Sequence, residues 1–409
     1  MRKLFMLAVA LAAIVAFLPA LAPAQKGPIK IGLLLPETGP LAANGKDMSN
    51  GIQLFLEEQG GKLAGREVKL ITEDDEGKPP TGLAKARSLV ESQGVHVLVG
   101  PLSAAIGYAV APYVDGKKMP TIFPIVSAED ITQRKRSAYI VRTGWSSAQP
   151  SHPFGKWVYD NLGYKKIAMI GYDFAFGWEV AAGFQRTFEE AGGQVVQKLW
   201  PPLGNADFGP YLAQLRRDVD AVYCVFSGSD ALRFSKQYAE AGLKGKLPLI
   251  GGGTFTDEHV LRSMGDEVLG VVTALHYSAV VATPANRKFA QAYEAKFKQT
   301  PSYYSEGSYV AGLALKAALE SIGGDAENAE KLLGALRRVD LSDAPRGPMR
   351  FDDFGNPVQN IYVRKVERVG GKLQNSVIAT IPAVGQFYKF NPDEYMKLPL
   401  YSRDFPPLK

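Results

Sequence analysis

Cysteine, histidine and long internal apolar runs are scarce in this sequence of 409 residues. The one cysteine, Cys224, cannot form an internal disulfide bond, and its position in the apolar run 221–226 predicts a buried, unreactive thiol. The four histidines are isolated, with no pair at the i, i+4 spacing of a helical zinc site. Beyond residue 24, no apolar run reaches the roughly 20 residues of a membrane-spanning helix. We therefore expect no metal site and no membrane-spanning segment in the mature chain.

The sequence also lacks the motifs of common catalytic and cofactor-binding loops. It contains no Gly-x-Ser-x-Gly elbow, no phosphate loop ending in Gly-Lys-Ser/Thr and no Gly-x-Gly-x-x-Gly turn. Its 47 lysines and arginines only slightly exceed its 41 acidic residues, without the basic stripes that nucleic-acid binding needs. The sequence therefore predicts a protein that is not an enzyme, needs no cofactor and binds no nucleic acid.

The N-terminus has the pattern of an export signal. Arg2 and Lys3 precede the apolar residues 4–17, and Ala22 and Ala24 form a small-residue cleavage site. We expect residues 1–24 to be removed and the mature chain to work outside the cytoplasm. The 385 residues that remain of the 409 are too many for one ordinary core and predict two domains.

From residue 29 to about residue 340, short β-type runs alternate with helical patterns. The first four runs lie at 29–35, 68–73, 95–100 and 119–125. The same alternation restarts after Gly144. It implies parallel strands joined by helical crossovers, because only such crossovers return the chain to the same end of a sheet. The sequence thus predicts an α/β fold with two doubly wound parallel-sheet lobes.

We expect three chain crossings between these lobes, near Gly144, near Ser278 and in the loop 343–357. They assign residues 25–144 plus 279–350 to lobe 1, 145–278 plus 358–382 to lobe 2, and 383–409 to a C-terminal tail. Two interleaved lobes with several connections are typical of hinge closure around a ligand. An exported α/β protein without catalytic motifs is thus expected to capture a small molecule.

Small polar residues follow several predicted strands, where open α/β sheets bind their ligands. Ser103 and Ala104 open a helix after one strand, and Ser127 follows the next, so that free amides and hydroxyls there could hold an anion. A simple helix cap is the alternative role of Ser103. Ser227 and Gly253 occupy the equivalent positions of the second half.

Taken together, these segments resemble the extracellular solute-binding proteins of ABC importers in the leucine/isoleucine/valine-binding family, from about Ile29 to about Tyr362. The stretches that carry the resemblance are Thr38-Gly39-Pro40-Leu41-Ala42, Gly100-Pro101-Leu102-Ser103, Ile131-Thr132-Gln133-Arg134 with Val141-Arg142-Thr143, and Asp173 with Phe176-Gly177. The resemblance implies the type I periplasmic binding protein fold, a periplasmic monomer and a partner permease in the inner membrane.

The resemblance also implies where a ligand carboxylate is held. In the family this group meets the loops that match Ser103 and Ala104 and that match Val126 and Ser127. Phe176 matches an aromatic residue that precedes a glycine in the first loop of the second lobe. We therefore expect these five residues to contact the ligand.

Two positions depart from the family pattern. Asn44 stands where the family has a tyrosine, and Gly253 stands where amino-acid binders carry the glutamate that pairs with the ligand ammonium. A desolvated ammonium without its partner costs about 3–5 kcal/mol, which disfavours aliphatic amino acids. Asp230, Asp257 or Glu306 could restore the charge. Replacing glutamate by glycine is also expected to open volume in the cleft.

Aromatic residues crowd the expected rim of the cleft: Tyr172, Phe174, Phe176, Trp178, Phe226, Phe255, Tyr277, Tyr303 and Tyr304. We expect three or four of them to stack on a bulky ring. His152, just past the first crossing, could reach a ring substituent, or its turn could lie at the surface or cap a helix.

We therefore predict capture of a small aromatic carboxylate, of the benzoate or phenylpropanoid type, for import. The alternatives are a binding protein for branched-chain or other hydrophobic amino acids, one for amides or urea, and the ligand-sensing lobe of a receptor.

Overall fold

The computed structural model describes residues 26–39 and 41–409. The predicted export signal, residues 1–24, therefore lies outside the described residues. Across 26–39 and 41–409, none of the helices has both the length and the hydropathy that crossing a membrane requires.

The strands are numbered in chain order. They are β1 (Ile29–Leu35), β2 (Lys62–Leu63), β3 (Arg66–Asp74), β4 (Val97–Val99), β5 (Thr121–Phe123), β6 (Ile140–Arg142), β7 (Lys166–Gly171), β8 (Gln194–Leu199), β9 (Ala221–Val225), β10 (Leu249–Gly252), β11 (Val272–Leu275), β12 (Asp340–Leu341), β13 (Met349–Phe351), β14 (Pro357–Val369) and β15 (Lys372–Val384).

The α-helices follow the same numbering. They are α1 (Ala42–Glu58), α2 (Pro79–Arg87), α3 (Ala104–Lys117), α4 (Ser151–Asn161), α5 (Ala175–Glu190), α6 (Gly209–Gln214), α7 (Gly228–Glu240), α8 (Glu258–Leu261), α9 (Pro284–Phe297), α10 (Tyr303–Ser321), α11 (Ala329–Arg337) and α12 (Pro392–Lys397). Short 3₁₀ turns lie at Glu129–Thr132, Gly253–Thr256 and Asp266–Val268, and a π-helical turn at Ser88–Ser92 extends α2.

The first lobe is built on a sheet with the strand order β2-β3-β1-β4-β5-β6. All neighbours in it are parallel except β2 and β3, which form a short antiparallel hairpin. Every residue of β4, β5 and β6 is buried, as expected for parallel strands that helices cover on both faces. This confirms the predicted doubly wound sheet.

Helix α10 returns to the first lobe and packs against α1. Two glycines permit this close approach. A Cβ on Gly51 would lie 2.0 Å from the Ser305 carbonyl oxygen, and one on Gly312 would lie 2.2 Å from the Phe55 ring. Larger side chains at either position would push the two helices apart.

The second lobe is built on a sheet with the order β12-β13-β14-β11-β10-β9-β7-β8, with β15 paired to β14. Strands β7 to β11 are parallel, and β14 joins β11 in the antiparallel sense. Strands β12 and β13 pair in this sheet, although residues 279–350 were assigned to lobe 1, so the chain enters the second sheet before the loop 343–357. The exact lobe boundaries stay a prediction.

The C-terminal tail packs against both lobes. Phe387, Tyr395 and Tyr401 are buried and form one apolar cluster with Ala148 and Ala182. The carbonyl oxygen of Tyr395 accepts a hydrogen bond of 3.1 Å from Arg134, which lies between β5 and β6 of the first lobe.

On the second lobe, α5 and β8 hold the same tail. The Arg186 guanidinium lies 3.5 Å from the centroid of the Phe390 ring, a close cation–π contact. Lys198 donates to the carbonyl oxygen of Pro406. The chain end is therefore part of the packed structure.

Candidate functional site

A cleft of about 320 Å³ lies between the lobes, lined by residues that directly follow strands of both sheets. Ser103 and Ala104 come after β4, Ser127 after β5, and Ser227 after β9. Parallel strands direct their carboxyl ends to the same sheet edge, which explains why residues so distant in sequence meet here. Five of the predicted ligand contacts line this cleft, namely Ser103, Ala104, Ser127, Phe176 and Ser227.

The N-terminus of α3 forms one end of the cleft. Ser103 precedes the helix, but its hydroxyl makes no capping hydrogen bond to the helix backbone. The amide of Gly107 donates to the Ser103 carbonyl oxygen at 2.9 Å, so the amides of Ala104 and Ala105 precede the first helical hydrogen bond. Free amides, a free hydroxyl and the positive end of the helix dipole together favour an anion. Ser103 thus occupies the N-cap position of α3, as the alternative role requires, but its hydroxyl does not cap the helix.

The loop after β5 brings a second hydroxyl to the same end. Ser127 is 5% exposed, and its Oγ lies 3.0 Å from the Oγ of Ser147. Arg142 fixes this loop by donating to the carbonyl oxygens of Val126 and Ala128, the latter at 2.7 Å. Arg142 is fully buried and therefore positions the loop without lining the cleft.

Six aromatic side chains form the walls of the cleft: Trp145, Tyr172, Phe174, Phe176, Tyr303 and Tyr304. The Trp145 ring lies edge to face with Phe176 at 6.0 Å and with Tyr303 at 6.1 Å between centroids. The hydroxyl of Tyr172 donates to the Ser227 carbonyl oxygen at 2.9 Å, which satisfies its polar end. Trp145, Tyr172, Tyr303 and Tyr304 are at most 3% exposed, whereas the half-buried rings of Phe174 and Phe176 offer stacking area to an apolar ligand.

Carboxylates are nearly absent from the cleft. Asp173 is the only acidic residue of the described chain that lines it, and its Oδ2 is 2.8 Å from the Arg403 guanidinium. Its Oδ1 accepts a hydrogen bond of 3.2 Å from the indole nitrogen of Trp178. The negative charge of Asp173 is therefore already paired with the guanidinium of Arg403 in the C-terminal tail.

The three acids considered as substitutes for the family glutamate are engaged elsewhere. Asp230 lies 2.7 Å from Arg233, and Glu306 accepts from Arg346 at 2.8 Å. Asp257 caps α8 through the amide of His259 at 3.0 Å. None of the three lines the cleft. They do not restore a negative charge there.

Gly253 does not line the cleft either, which corrects its predicted role. A Cβ at this position would lie 2.4 Å from the Leu275 Cβ and 2.6 Å from the Ala274 carbonyl oxygen. The expectation that glycine opens volume in the cleft is therefore wrong. Strand β11 closes the position, and a longer side chain would not fit there without a backbone shift.

Asn44 and Val126 are buried behind the cleft walls. Asn44, in the first turn of α1, is 1% exposed and lies beside Tyr304 and Gly228. The Val126 side chain points toward α3, where a Cβ on Gly107 would lie 2.5 Å from it. Both residues support lining residues, and neither lines the cleft itself.

His152 faces the C-terminal tail rather than the cleft. Its Nε2 is 3.2 Å from the Tyr401 hydroxyl, and its ring lies 5.4 Å from Phe390 and 5.9 Å from Tyr395 between centroids. Burial lowers the pKa of His152 to about 3, so the ring is neutral at physiological pH. The surface-turn alternative is also wrong, because the side chain is fully buried.

Sequence reasoning missed several lining residues. Trp145 immediately follows the first crossing, and Leu203 follows β8, where it is 48% exposed at the cleft. Leu41 and Leu102 lie in the stretches that carried the resemblance but received no role of their own. The available signal for Trp145 was its position beside the first predicted crossing, where the chain passes between the two lobes.

The comparisons with known proteins agree with this geometry. Residues 28–372 match the periplasmic binding protein family. This chain belongs to that family. It is 30% identical over 385 residues to Leu/Ile/Val-binding protein homolog 6 of Brucella melitensis, with 92% of this chain and 97% of that protein covered. The predicted family resemblance is thus confirmed.

Two solved structures share the fold closely. A solute-binding protein of an ABC transporter from Rhodopseudomonas palustris BisB5, in complex with 3,4-dihydroxybenzoic acid, is 36% identical, with a TM-score of 0.84 and coverage of 88% and 99% of the two chains. A second, from R. palustris in complex with benzoate, is 32% identical, with a TM-score of 0.81 and the same coverage. Both of these similar structures are of solute-binding proteins of ABC transporters, and the family to which this chain belongs is one of periplasmic binding proteins.

Proposed function

We propose that this protein captures an aromatic carboxylate of the benzoate type in the periplasm and delivers it to a permease in the inner membrane. One observation carries the proposal. The cleft joins an anion-binding end at Ser103, Ala104 and Ser127 to aromatic walls, and its one carboxylate, Asp173, is paired with Arg403. A ligand with one negative charge and one ring matches all three features.

The carboxylate end provides enough affinity for capture. Hydrogen bonds to a charged group contribute about 1.5–3 kcal/mol each. The two hydroxyls and the Ala104 amide would therefore contribute several kcal/mol, of the order that micromolar binding requires once ring burial is added. The Ser103 hydroxyl and the helix amides are not used by the fold, so ligand binding does not have to break existing hydrogen bonds there.

The size and the walls of the cleft favour a flat ring. A volume of about 320 Å³ lies at the small end of the range for ligand pockets. Trp145 and Phe176 stand edge to face, so a ring in the cleft meets aromatic faces and edges rather than flexible aliphatic chains. The similar R. palustris proteins hold benzoate and 3,4-dihydroxybenzoate, which supports this ligand class.

A branched-chain amino acid is the second candidate, because the Brucella relative is named as a Leu/Ile/Val-binding protein homolog. This ligand needs an acid near its ammonium group. Asp173 is the only lining acid among the described residues, and it would have to exchange Arg403 for the ligand. That exchange costs an existing ion pair, which disfavours the amino acid.

A thermal-shift panel tests the proposal. Benzoate, 4-hydroxybenzoate and 3,4-dihydroxybenzoate are compared with leucine, valine and acetamide on the purified mature protein. A ligand present at about 100 times its Kd stabilises the folded state by about 2.7 kcal/mol. We expect the benzoates to raise the melting temperature and the amino acids to leave it unchanged. Stabilisation by leucine alone would refute the aromatic-acid assignment.

A further inference from the structure

The cleft has one charged side chain among the described residues, and its charge is negative. Asp173, which follows β7, lines the cleft, whereas no lysine, arginine or histidine of residues 26–39 and 41–409 does. The anion-binding end at the start of α3 offers partial positive charge only, about half an elementary charge for a helix N-terminus. The lining residues therefore supply no cation to balance Asp173.

Arg403 of the C-terminal tail supplies that cation. Its guanidinium donates to the Asp173 Oδ2 at 2.8 Å, while the Asp173 Oδ1 accepts a hydrogen bond of 3.2 Å from the Trp178 indole nitrogen. Arg403 itself does not line the cleft. Its positive charge thus acts on the cleft next to the carboxylate of Asp173.

A closed turn of the tail presents Arg403. The amide of Ser402 donates to the Phe405 carbonyl oxygen at 3.0 Å, and the Phe405 amide donates to the Ser402 hydroxyl at 3.2 Å. These two hydrogen bonds join the residues on either side of Arg403. They fix the backbone from which the guanidinium reaches Asp173.

The chain on both sides of this turn is fixed to α4 and α5, which pack against each other. Before the turn, the buried Tyr401 places its hydroxyl 3.2 Å from the Nε2 of His152 on α4. After it, Gln185 of α5 donates to the Pro407 carbonyl oxygen at 2.9 Å. Helix α5 begins two residues after Asp173. Asp173 and the tail are therefore held in register by the same helix.

We infer that Arg403 is a specificity-determining residue, which acts through Asp173 to set the charge of the ligand that the cleft accepts. With Arg403 in place, the charge of Asp173 is balanced and a carboxylate can bind. Without Arg403, Asp173 repels a carboxylate and becomes free to pair with a ligand ammonium group. The inference rests on the proposed function, because it assumes that the ligand is an aromatic acid.

The expected effect on affinity follows from Coulomb's law. Two unit charges about 10 Å apart change a dissociation constant about 4- to 15-fold, at an effective dielectric constant of about 20–40. The effect on folding should be small, because the side chains of Asp173 and Arg403 are 27% and 57% exposed. Ligand affinity and fold stability can therefore be measured separately.

Three variants change the charge of the pair in different directions. Arg403→Gln leaves it negative, Asp173→Asn leaves it positive, and the double variant leaves it neutral, as in the wild type. The asparagine keeps an oxygen that can accept from the Trp178 indole. The melting temperature without ligand checks that each variant is folded.

Calorimetric titration compares three ligands of similar shape, namely benzoate, the neutral benzyl alcohol and the cationic benzylamine. Arg216→Gln is the matched control. This exposed arginine pairs with Asp218 just before β9, at the opposite end of the strands from the cleft. It removes the same charge from the protein as Arg403→Gln.

We expect Arg403→Gln to bind benzoate about 4- to 15-fold more weakly than the wild type, and Asp173→Asn to bind it more tightly. The double variant and Arg216→Gln should bind benzoate like the wild type. For benzylamine the order should be reversed, with Arg403→Gln binding it most tightly. Benzyl alcohol should bind equally to all five proteins. The differences should shrink at high salt.

A purely structural role of the pair would give another pattern. If it only holds the tail, both single variants would lose affinity for benzoate and benzyl alcohol alike. That result, or equal benzoate affinity in all five proteins, would overturn the inference and leave the proposed function intact. Failure of the wild type to bind any aromatic acid would refute the proposed function, and the inference with it.

Discussion

Removing the hydroxyls of Ser103 and Ser127 together is the sharpest perturbation of the proposed carboxylate site. Each hydroxyl is expected to donate one hydrogen bond to a charged group, worth about 1.5–3 kcal/mol. The two side chains lie on different loops, after β4 and after β5, but they share one ligand carboxylate, so the sum of their contributions is an upper limit. The Ser103→Ala, Ser127→Ala double variant should therefore lose up to about 3–6 kcal/mol, a weakening of up to about 10²–10⁴-fold for benzoate.

The fold should tolerate this change. Within residues 26–39 and 41–409, the Ser103 hydroxyl makes no capping hydrogen bond, and Ser147 is the only side-chain partner of the Ser127 hydroxyl. The melting temperature without ligand should therefore stay close to that of the wild type. Benzoate affinity is measured by calorimetric titration, with benzyl alcohol as a ligand of similar shape but no charge.

Ser235→Ala provides the matched control, because its buried hydroxyl donates to the Leu232 carbonyl oxygen on α7, remote from the cleft. It should bind benzoate like the wild type. Benzyl alcohol should bind weakly and equally to all three proteins. If the double variant keeps benzoate affinity within about threefold, the charged hydrogen bonds do not exist and the carboxylate lies elsewhere.

Three further outcomes are expected. Asp47→Asn should lower the free energy of unfolding in urea by about 1–3 kcal/mol, because buried Asp47 accepts from the Arg262 guanidinium at 2.9 and 3.1 Å; an unchanged midpoint would contradict this. Gly253→Glu should lower the melting temperature without creating leucine binding, since its Cβ would lie 2.4 Å from Leu275, and a stable leucine-binding variant would disprove that view. Cys224 should resist thiol reagents until the protein unfolds, because burial raises the pKa of its thiol well above the usual range; rapid labelling of the native protein would argue against it.

The sequence predicted those parts of the site that depend on strand order. Ser103 and Ser127 were found because each follows a strand, and strands of a parallel sheet end at a common edge. Phe176 was found by the family resemblance, at the start of a helix that follows β7. Each of these residues directly follows a parallel strand, so its place in the sequence also places it at the sheet edge that borders the cleft.

The parts that sequence reasoning missed depend on side-chain direction and on distant packing. Gly253 follows a strand as predicted, but its Cβ vector points at β11, which alternation along the chain does not reveal. His152 was placed near the cleft because the tail that covers it lies more than 200 residues away in sequence. Trp145 was overlooked because the first crossing was considered only as a link between the lobes, although the residue beside it lines the cleft.

The C-terminal tail contacts one lobe through Arg134 and the other through Arg186 and Lys198. Rotation of one lobe relative to the other would therefore displace the tail from its contacts with one of the two lobes. A purification tag or fluorophore fused after Lys409 would be attached to the segment that contacts both lobes, and it could hinder their relative movement. Labels intended to report the opening of the molecule without disturbing it belong at the exposed tip of the β14–β15 hairpin instead, where Gly370 and Gly371 make the turn.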